Sequence, residues 1–339
     1  MRQASLDVVY ELAKKDKRVF FIGSDLGVGV LQKFKDEMPE RFLMEGVSEA
    51  NIVGLAAGLA MEGKIVYINT IATFLTRRCF EQIVLDLCLH NVNVRLLASG
   101  GGLVYTPLGP THEAIDDIAI LRAIPNMTIV APADAEEMRR VMAQTLDYPG
   151  PMYIRFAKGG DPIVTREDIP FKIGKALLYR EGSDALVITT GITLQNGLEA
   201  AERLAQEGLE ITVLHVPTVK PLDKESILKA ADRVATVVTI EEHTILGGLG
   251  GAVAEILAEA NFNPGKKFKR IGIPDVFPKK YGSQASLMKE FKITTDHLVD
   301  VLKNLVNSEI PVKLSESELV KAASPKYEAS LAIKKEKRE

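Results

Sequence analysis

Short apolar segments rich in valine and isoleucine alternate along this chain with stretches of helical periodicity. In the first half of the chain the apolar segments lie at 18–23, 64–69, 94–99, 127–132 and 152–156. Continuous apolar runs of this kind are typical of parallel strands that helices cover on both faces. The helical stretches lie at 4–15, 48–62, 77–90, 113–122 and 135–146. Asp134 precedes the last of these as a potential N-cap.

The same alternation restarts after a segment rich in glycine, proline and charge. Strands are predicted at 185–190, 210–216, 234–240 and 268–273, and helices near 194–207, 223–231, 248–260 and 294–306. The pattern predicts an α/β protein of two consecutive doubly wound, mainly parallel-sheet domains, at 1–165 and 176–308, joined by the linker 166–175. Residues 309–339 are polar and end in "IKKEKRE", which predicts a charged tail.

Composition and charge argue against several classes of function. The chain carries 42 basic and 45 acidic side chains, so it has no positive field that would attract nucleic acid or anionic lipid. No apolar run reaches the roughly 18 residues that a membrane-spanning helix needs. Cys79 and Cys88 are too few for a disulfide scaffold and too far apart for a CxxC site. These features predict a reduced, cytoplasmic protein without nucleic-acid or membrane partners.

One carboxylate stands at the start of the most apolar helix. Residues 52–61 are almost all apolar or glycine, which predicts a buried helix, and Glu49 lies in its first turn behind the potential N-cap Ser48. An acid at this place favours the positive end of the helix dipole, which is the structural interpretation. The functional interpretation is a partly buried acid that hydrogen-bonds a ligand nitrogen, because such groups cluster at functional sites.

The segment "IGSDLGVG" (22–29) directly follows the first predicted strand. Its glycine spacing matches neither a dinucleotide fingerprint nor a P-loop, so a tight turn is one interpretation. Ser24 and Asp25 nevertheless lie at the carboxyl end of a strand, where open α/β sheets bind their ligands.

The segment "TFLTRRCFEQ" (73–82) brings aromatic and basic side chains together at the start of a helix. Phe74, Phe80 and either Arg77 or Arg78 belong to ordinary core packing in one interpretation. In the other, they form a clamp for a planar heterocycle with a guanidinium beside it.

Residues 99–110 contain three successive glycines and two prolines, which predicts a loop after a strand. His112 ends this loop, and a place at the N-terminus of the predicted helix 113–122 would lower the pKa of its imidazole. The alternative is a loop histidine without a chemical role. Asp116 and Asp117 are expected to be solvated acids of the first helical turn.

A second acidic segment, "TIEEHTILGGLGGAV" (239–253), follows a strand of the second domain. Glu241, Glu242 and His243 are adjacent, and adjacent loop residues do not form a chelating face. We predict a structural or interface role for them.

In their order along the chain, these segments resemble a thiamine-diphosphate enzyme of the transketolase family. The segments are "GSDLG", "GVSEANIVGLAAGLA", "TFLTRRCFEQ", "GPTHEAIDDIAILRAIPNMTIVAPADAEE", "RFAKG" and "EEHTILGGLGGAV". The resemblance covers about 1–306 and is most specific at 46–60 and 109–137. It implies a pyrimidine-binding domain followed by a transketolase C-terminal domain.

The resemblance implies a set of cofactor contacts. Glu49 matches the glutamate that hydrogen-bonds the ring nitrogen N1′ of the cofactor aminopyrimidine. Phe74 and Phe80 match aromatic positions around that ring. Arg77 stands where the related deoxyxylulose-phosphate synthases also carry arginine. Asp25 matches a residue that lines the cofactor site.

The resemblance also implies substrate contacts, with two departures. His112 matches a histidine that faces the substrate and suits proton transfer, Arg155 matches an arginine that contacts sugar phosphate, and Ser24 lines the substrate channel. Transketolases carry an aspartate and a histidine where this chain has Leu108 and Gly100. The donor therefore binds differently, or the sugar is not a pentose phosphate.

The family binds diphosphate and Mg²⁺ through a G-D-G motif and a later asparagine, and "GDG" does not occur in these 339 residues. We therefore expect no metal ligand in this chain and a partner subunit that carries the diphosphate domain and Mg²⁺, in an α2β2 assembly. The predicted function is that of the C-terminal subunit of a split transketolase, with two-carbon ketol transfer between sugar phosphates or related sugars. The alternatives are a deoxyxylulose-phosphate synthase-like enzyme, a 2-oxo-acid dehydrogenase E1 β subunit, and an inactive partner-binding subunit.

Overall fold

The computed structural model describes residues 1–24, 29, 31–157 and 159–308 of the chain. The predicted site residue Asp25 and the predicted tail 309–339 lie outside these residues. Residues 1–306 form one compact unit, to which the description below refers. Within the described ranges, every helix is too short or too polar to span a bilayer.

The described residues form two sheets. The strands are β1 (Val19–Gly23), β2 (Phe42–Met44), β3 (Ile65–Ile71), β4 (Val94–Ser99), β5 (Thr128–Val130), β6 (Met152–Phe156), β7 (Leu177–Arg180), β8 (Ala185–Thr189), β9 (Ile211–His215), β10 (Thr218–Lys220), β11 (Thr236–Thr244) and β12 (Lys267–Ile273). The first sheet has seven strands in the order β10-β5-β6-β4-β3-β1-β2, and the second has five in the order β12-β11-β8-β9-β7. Neighbours are parallel except at β10–β5 and β7–β9. The predicted α/β fold with mainly parallel sheets is confirmed.

Helices cover both sheets. They are α1 (Arg2–Lys15), α2 (Gln32–Glu37), α3 (Glu49–Met61), α4 (Phe80–Gln82), α5 (Asp117–Arg122), α6 (Ala135–Gln144), α7 (Leu194–Ala205), α8 (Lys224–Asp232), α9 (Leu249–Glu259), α10 (Gln284–Glu290) and α11 (Thr295–Asn307). Short 3₁₀ turns lie at Pro39–Arg41, Thr106–Leu108 and Gly191–Thr193. One face of the first sheet packs with α3 and α5, and its other face packs with α1 and α6. Every residue of β3, β4 and β6 is therefore buried, as continuous apolar runs predict.

The predicted helix 77–90 is largely of π type. It contains the π-helical segments Phe74–Arg78 and Ile83–Leu89, with α4 between them. The π-helix is rare and is frequently found at functional sites. In this chain it follows β3 directly and lies against α3.

Strand β10 comes from the second half of the chain and pairs with the first sheet. Thr218 lies opposite Val130 of β5, in an antiparallel pairing that ends the sheet. The linker predicted at 166–175 lies between β6 and β7. After it, the chain forms β7, β8 and β9 of the second sheet and then contributes β10 to the first sheet. The domain boundaries themselves stay predictions.

Asp134 is the N-cap of α6, as predicted, and it also holds the segment after β6. Its Oδ1 accepts hydrogen bonds from the backbone N–H groups of Glu136 (3.0 Å) and Glu137 (2.9 Å). Its Oδ2 accepts those of Val164 (2.8 Å) and Thr165 (2.7 Å). Burial disfavours the charged carboxylate, but these N–H donors outweigh it and lower the pKa of Asp134.

We expect Asp134→Ala to lower the free energy of unfolding by about 2–4 kcal/mol, because it leaves several buried N–H groups without an acceptor. Urea denaturation followed by circular dichroism measures the loss. The control is Asp168→Ala, which removes an exposed ion pair with Arg166 and should change stability by less than about 0.5 kcal/mol. Equal effects of the two substitutions would show that Asp134 does not hold this junction.

Candidate active site

Glu49 is the first residue of α3 and only 4% exposed. Ser48 occupies the N-cap position, but its hydroxyl donates to the carbonyl of Glu45 (2.9 Å) and makes no cap hydrogen bond. The partner of Glu49 is Arg78, whose Nη1 donates to Glu49 Oε2 at 3.0 Å while its side chain stays 47% exposed. A buried carboxylate thus points toward a solvent-accessible guanidinium at the start of an apolar helix.

Two rings complete this arrangement. The guanidinium carbon of Arg78 lies 3.6 Å from the centroid of the Phe74 ring, in a cation–π contact. The imidazole of His112 meets the same ring edge-on, with centroids 5.0 Å apart and planes at 64°. Glu49, Phe74, Arg78 and His112 are called the Glu49 cluster below. The structure therefore brings together three of the predicted site residues, and the arginine that joins them is Arg78.

His112 lies in a loop and not at a helix end. The helix predicted at 113–122 begins only at Asp117, so the expectation that its dipole acts on His112 is wrong. The pKa of His112 is nevertheless lowered, first by burial and second by the charge of Arg78. Thr111 Oγ1 lies 2.9 Å from His112 Nδ1. The imidazole therefore stays neutral more readily than an ordinary histidine, as proton transfer at neutral pH requires.

Arg77 points away from the Glu49 cluster. Its guanidinium donates to the carboxylate of Asp116 at 2.8–3.2 Å and to the carbonyl of Glu113 at 3.2 Å. Asp116 is the N-cap residue of α5, so this ion pair connects the π-helical segment to α5. In this structure Arg77 and Arg78, although adjacent, therefore contact different helices. The contact of Arg77 with a cofactor stays a prediction.

Arg155 is buried in a polar network at the end of β6. Its Nε donates to Asp117 Oδ2 (2.8 Å), and its Nη2 donates to the carbonyls of Ala114 (3.3 Å) and Glu242 (2.7 Å). Asp117 is fully buried and also accepts from the Tyr153 hydroxyl (2.7 Å). The expectation that Asp117 is a solvated acid is therefore wrong, because a buried arginine and a tyrosine face it. The predicted contact of Arg155 with phosphate is untested.

The other predicted site residues lie around the carboxyl ends of the strands. Ser24 directly follows β1, and its hydroxyl donates to Thr70 of β3 at 2.8 Å. Phe80 begins α4 and is exposed, as is Leu108 in the 3₁₀ turn. Gly100 has φ +79°, and a Cβ there would lie 2.0 Å from the Tyr105 ring. This loop therefore has no room for the histidine that transketolases carry at that position.

Two further acids lie near the site: Glu113, which carries no sequence signal, and Glu242, for which the sequence predicts a structural or interface role. Glu113 follows His112, is fully buried, and has no hydrogen bond to either carboxylate oxygen within the described residues. Burial raises its pKa, which favours the neutral acid. Glu242 accepts at Oε1 from the backbone N–H of Leu103 (2.8 Å) and from Gln284 (2.8 Å). The burial of such an acid has no local sequence signal, because the residues that cover it come from distant segments of the chain.

Glu241 and Glu242, adjacent on β11, do different structural work. Glu241 accepts from the backbone N–H groups of Leu249 (2.7 Å) and Gly250 (2.8 Å), so it caps the N-terminus of α9. Glu242 joins the loop that contains Leu103 to α10 and thereby connects the two halves of the chain. The structural role predicted for this acidic segment agrees with both contacts.

Residues 1–160 match the family model of the transketolase pyrimidine binding domain, and residues 174–298 match that of the transketolase C-terminal domain. The chain belongs to the transketolase family. It is 37% identical over 300 residues to a 6-deoxy-6-sulfo-D-fructose transketolase subunit of Clostridium sp. (strain MSTE9), with 88% of this chain and 92% of that protein covered.

Two further matches show what share of the length of related proteins this transketolase-family chain covers. A solved structure of a split gene transketolase, in an inactive beta4 tetramer, has a TM-score of 0.82 and 33% identity, with 90% of this chain and 97% of that chain covered. The 1-deoxy-D-xylulose-5-phosphate synthase 1 of Geobacter sulfurreducens is 38% identical over 292 residues, which are 85% of this chain and 45% of that enzyme. The chain thus spans nearly all of the first protein and about half of the second.

The family implies thiamine diphosphate, and the Glu49 cluster fits the aminopyrimidine of that cofactor. It offers a carboxyl group for a ring nitrogen, an aromatic face and an imidazole. The guanidinium of Arg78 is itself planar and rich in N–H donors, so its place in the cluster shows that a flat donor group fits there. Among the described residues, no group of three or more His, Cys, Asp or Glu side chains is arranged to hold a metal ion.

We expect Glu242→Gln to remove a pH dependence of stability. Burial raises the pKa of Glu242 to about 7, although Arg155 lowers it in part. The folded state therefore holds a proton that the unfolded state releases near its ordinary pKa of 4.5, so stability falls as pH rises from about 4.5 to about 7. The melting temperature of the wild type should fall by a few degrees more between pH 5 and pH 8 than that of Glu242→Gln. Parallel melting curves for the two proteins would refute this role of Glu242.

We also expect Arg78→Gln to raise the pKa of His112, because the substitution removes the positive charge that disfavours the imidazolium. Burial remains, so the pKa should stay below 6.5. NMR titration of the five histidines, with His112→Gln for assignment, measures the change. Arg139→Gln, in an exposed ion pair on α6, is the control and should leave His112 unaffected. An unchanged His112 pKa in Arg78→Gln would contradict the contact.

Proposed function

We propose that this chain is the C-terminal subunit of a split transketolase-like enzyme. With a partner subunit it would transfer a two-carbon ketol unit between sugar phosphates or related sugars. The observation that carries the proposal is the Glu49 cluster, in which a buried carboxylate, an aromatic face and an imidazole converge. When bound, thiamine diphosphate supplies an electron sink for the carbon–carbon bond chemistry.

The residues of the Glu49 cluster have different proposed roles. The Glu49 carboxyl binds and orients the pyrimidine ring through its nitrogen, and Phe74 packs against the face of that ring. His112 contacts the Phe74 ring, and its neutral imidazole suits the transfer of a proton to or from a substrate hydroxyl or carbonyl. Ser24, Asp25 and Arg155 remain proposed contacts of the substrate channel, and Phe80 and Arg77 proposed contacts of the cofactor site.

A partner is proposed to supply the diphosphate domain. The G-D-G motif of that domain does not occur in this sequence, and the split gene transketolase that this chain resembles is inactive as a beta4 tetramer. The relative from Clostridium is likewise described as a transketolase subunit. We propose that the partner binds Mg²⁺ with the diphosphate, that the assembly is α2β2, and that the complex is cytoplasmic.

The proposal is tested with the chain assembled with such a partner, thiamine diphosphate and Mg²⁺. We expect ketol transfer from a ketose donor to an aldehyde acceptor, and we expect Glu49→Gln to reduce it by at least about 100-fold, because an amide can donate a hydrogen bond but cannot exchange a proton with the ring nitrogen as a carboxyl can. Glu62→Gln, at the exposed C-terminal end of the same helix, is the control. Near wild-type turnover in Glu49→Gln would reject the assignment.

A second candidate is a decarboxylating condensation of the deoxyxylulose-phosphate synthase type. Its support is the 38% identity to the Geobacter sulfurreducens enzyme. Release of CO₂ from pyruvate distinguishes this reaction, and that of a 2-oxo-acid dehydrogenase β subunit, from ketol transfer. A complex that assembles but shows neither reaction would support the inactive partner-binding subunit.

A further inference from the structure

We propose that Arg78 occupies the pyrimidine position of the Glu49 cluster when cofactor is absent, and that cofactor binding requires this side chain to leave. The inference rests on the proposed function, because it takes Glu49 and Phe74 as the contacts of the aminopyrimidine. Arg78 is then a latch by which the subunit inhibits its own cofactor site.

Arg78 uses both contacts that the aminopyrimidine needs. Its Nη1 donates to Glu49 Oε2 at 3.0 Å, and its guanidinium carbon lies 3.6 Å from the centroid of the Phe74 ring. A guanidinium is planar, carries N–H donors and stacks on aromatic faces, so it imitates a flat nitrogen heterocycle. The same region of the Phe74 face cannot hold two planar groups at once.

The two partners also compete for the same carboxyl group. Arg78 Nη1 donates to Glu49 Oε2, so the guanidinium occupies the carboxyl face that the ring nitrogen of the cofactor would meet. A guanidinium has five N–H donors and no acceptor, so it cannot serve as a bridge between Glu49 and the pyrimidine. The cofactor therefore has to displace the arginine.

Arg78 is free to make this movement, in contrast to its neighbour. Its side chain is 47% exposed, and its contacts among the described residues are Glu49 and Phe74. Arg77 is held by Asp116 and by a backbone carbonyl. Arg78 also ends the π-helical segment, directly before Cys79, whose backbone (φ −112°, ψ 15°) is not helical. The Arg78 side chain can therefore change its rotamer without breaking a helical hydrogen bond of the residues that follow it.

The movement changes the charge around His112. The groups around Glu49 are Arg78, the Cys79 thiol and, in contact with Phe74, His112. Burial raises the pKa of Cys79 to about 12, so the thiol stays neutral. When Arg78 leaves, His112 loses the positive charge that adds to burial in lowering its pKa. Cofactor binding should therefore raise the pKa of His112.

The test measures thiamine diphosphate binding, with Mg²⁺, to the full chain assembled with its partner. We expect Arg78→Ala to bind about fivefold or more tightly than wild type, because the fraction of open sites no longer limits the affinity. Isothermal titration calorimetry measures the dissociation constant of the cofactor for each variant. Arg139→Ala is the matched control, since Arg139 is also half exposed (48%) and paired with a glutamate.

The outcomes separate the latch from the proposed function. Tighter binding in Arg78→Ala, and in Arg78→Gln should the alanine variant fold poorly, supports the latch. Equal or weaker binding in both variants overturns it while leaving the proposed function standing, because wild type still binds the cofactor. A wild-type complex that assembles but binds no thiamine diphosphate overturns the proposed function and the latch together.

Discussion

The central strands of the first sheet are buried along their whole length, and this constraint determines where functional side chains can lie. Polar side chains for chemistry can appear only where the strands end or where a neighbouring helix begins. Glu49 begins α3 and Phe74 follows β3 in the π-helical segment, so both lie at the same carboxyl edge of the sheet. The loop after β4 then brings His112 to them. The site is a consequence of the edge at which parallel strands end together.

Burial also explains why Arg155 and Asp117 are paired. Both are buried, Arg155 Nε donates to Asp117 Oδ2, and the Tyr153 hydroxyl and two carbonyls make further hydrogen bonds with the pair. A buried ion pair of this kind is costly to break from one side. Glu242 adds a contact from the second sheet to the same region. The loop after β4 is thus held by both halves of the chain.

Sequence patterns are sufficient for most of the long elements. Apolar runs predict the main strands, and helical periodicity predicts the main helices. The positions of Glu49, Phe74 and His112 leave a structural and a functional interpretation open, and it is the resemblance to the transketolase family that selects the functional one. The sequence does not predict the short strands β2, β7 and β10, because three or four residues are too few to show a hydrophobic periodicity. The pairing of β10 with β5 depends on contacts between distant parts of the chain. No pattern separates Arg77 from Arg78, since only the π-helical geometry decides which of two neighbours faces Glu49.

The return of β10 to the first sheet limits how a gene for such an enzyme can be divided. A break in the linker 166–175 would place β10 (Thr218–Lys220) in a different polypeptide from β5. The edge of β5 would then be uncovered. Uncovered edges promote aggregation between chains. The pyrimidine and C-terminal regions are therefore expected to be inherited as one piece. A division that separates the diphosphate domain from both of them leaves this shared sheet intact.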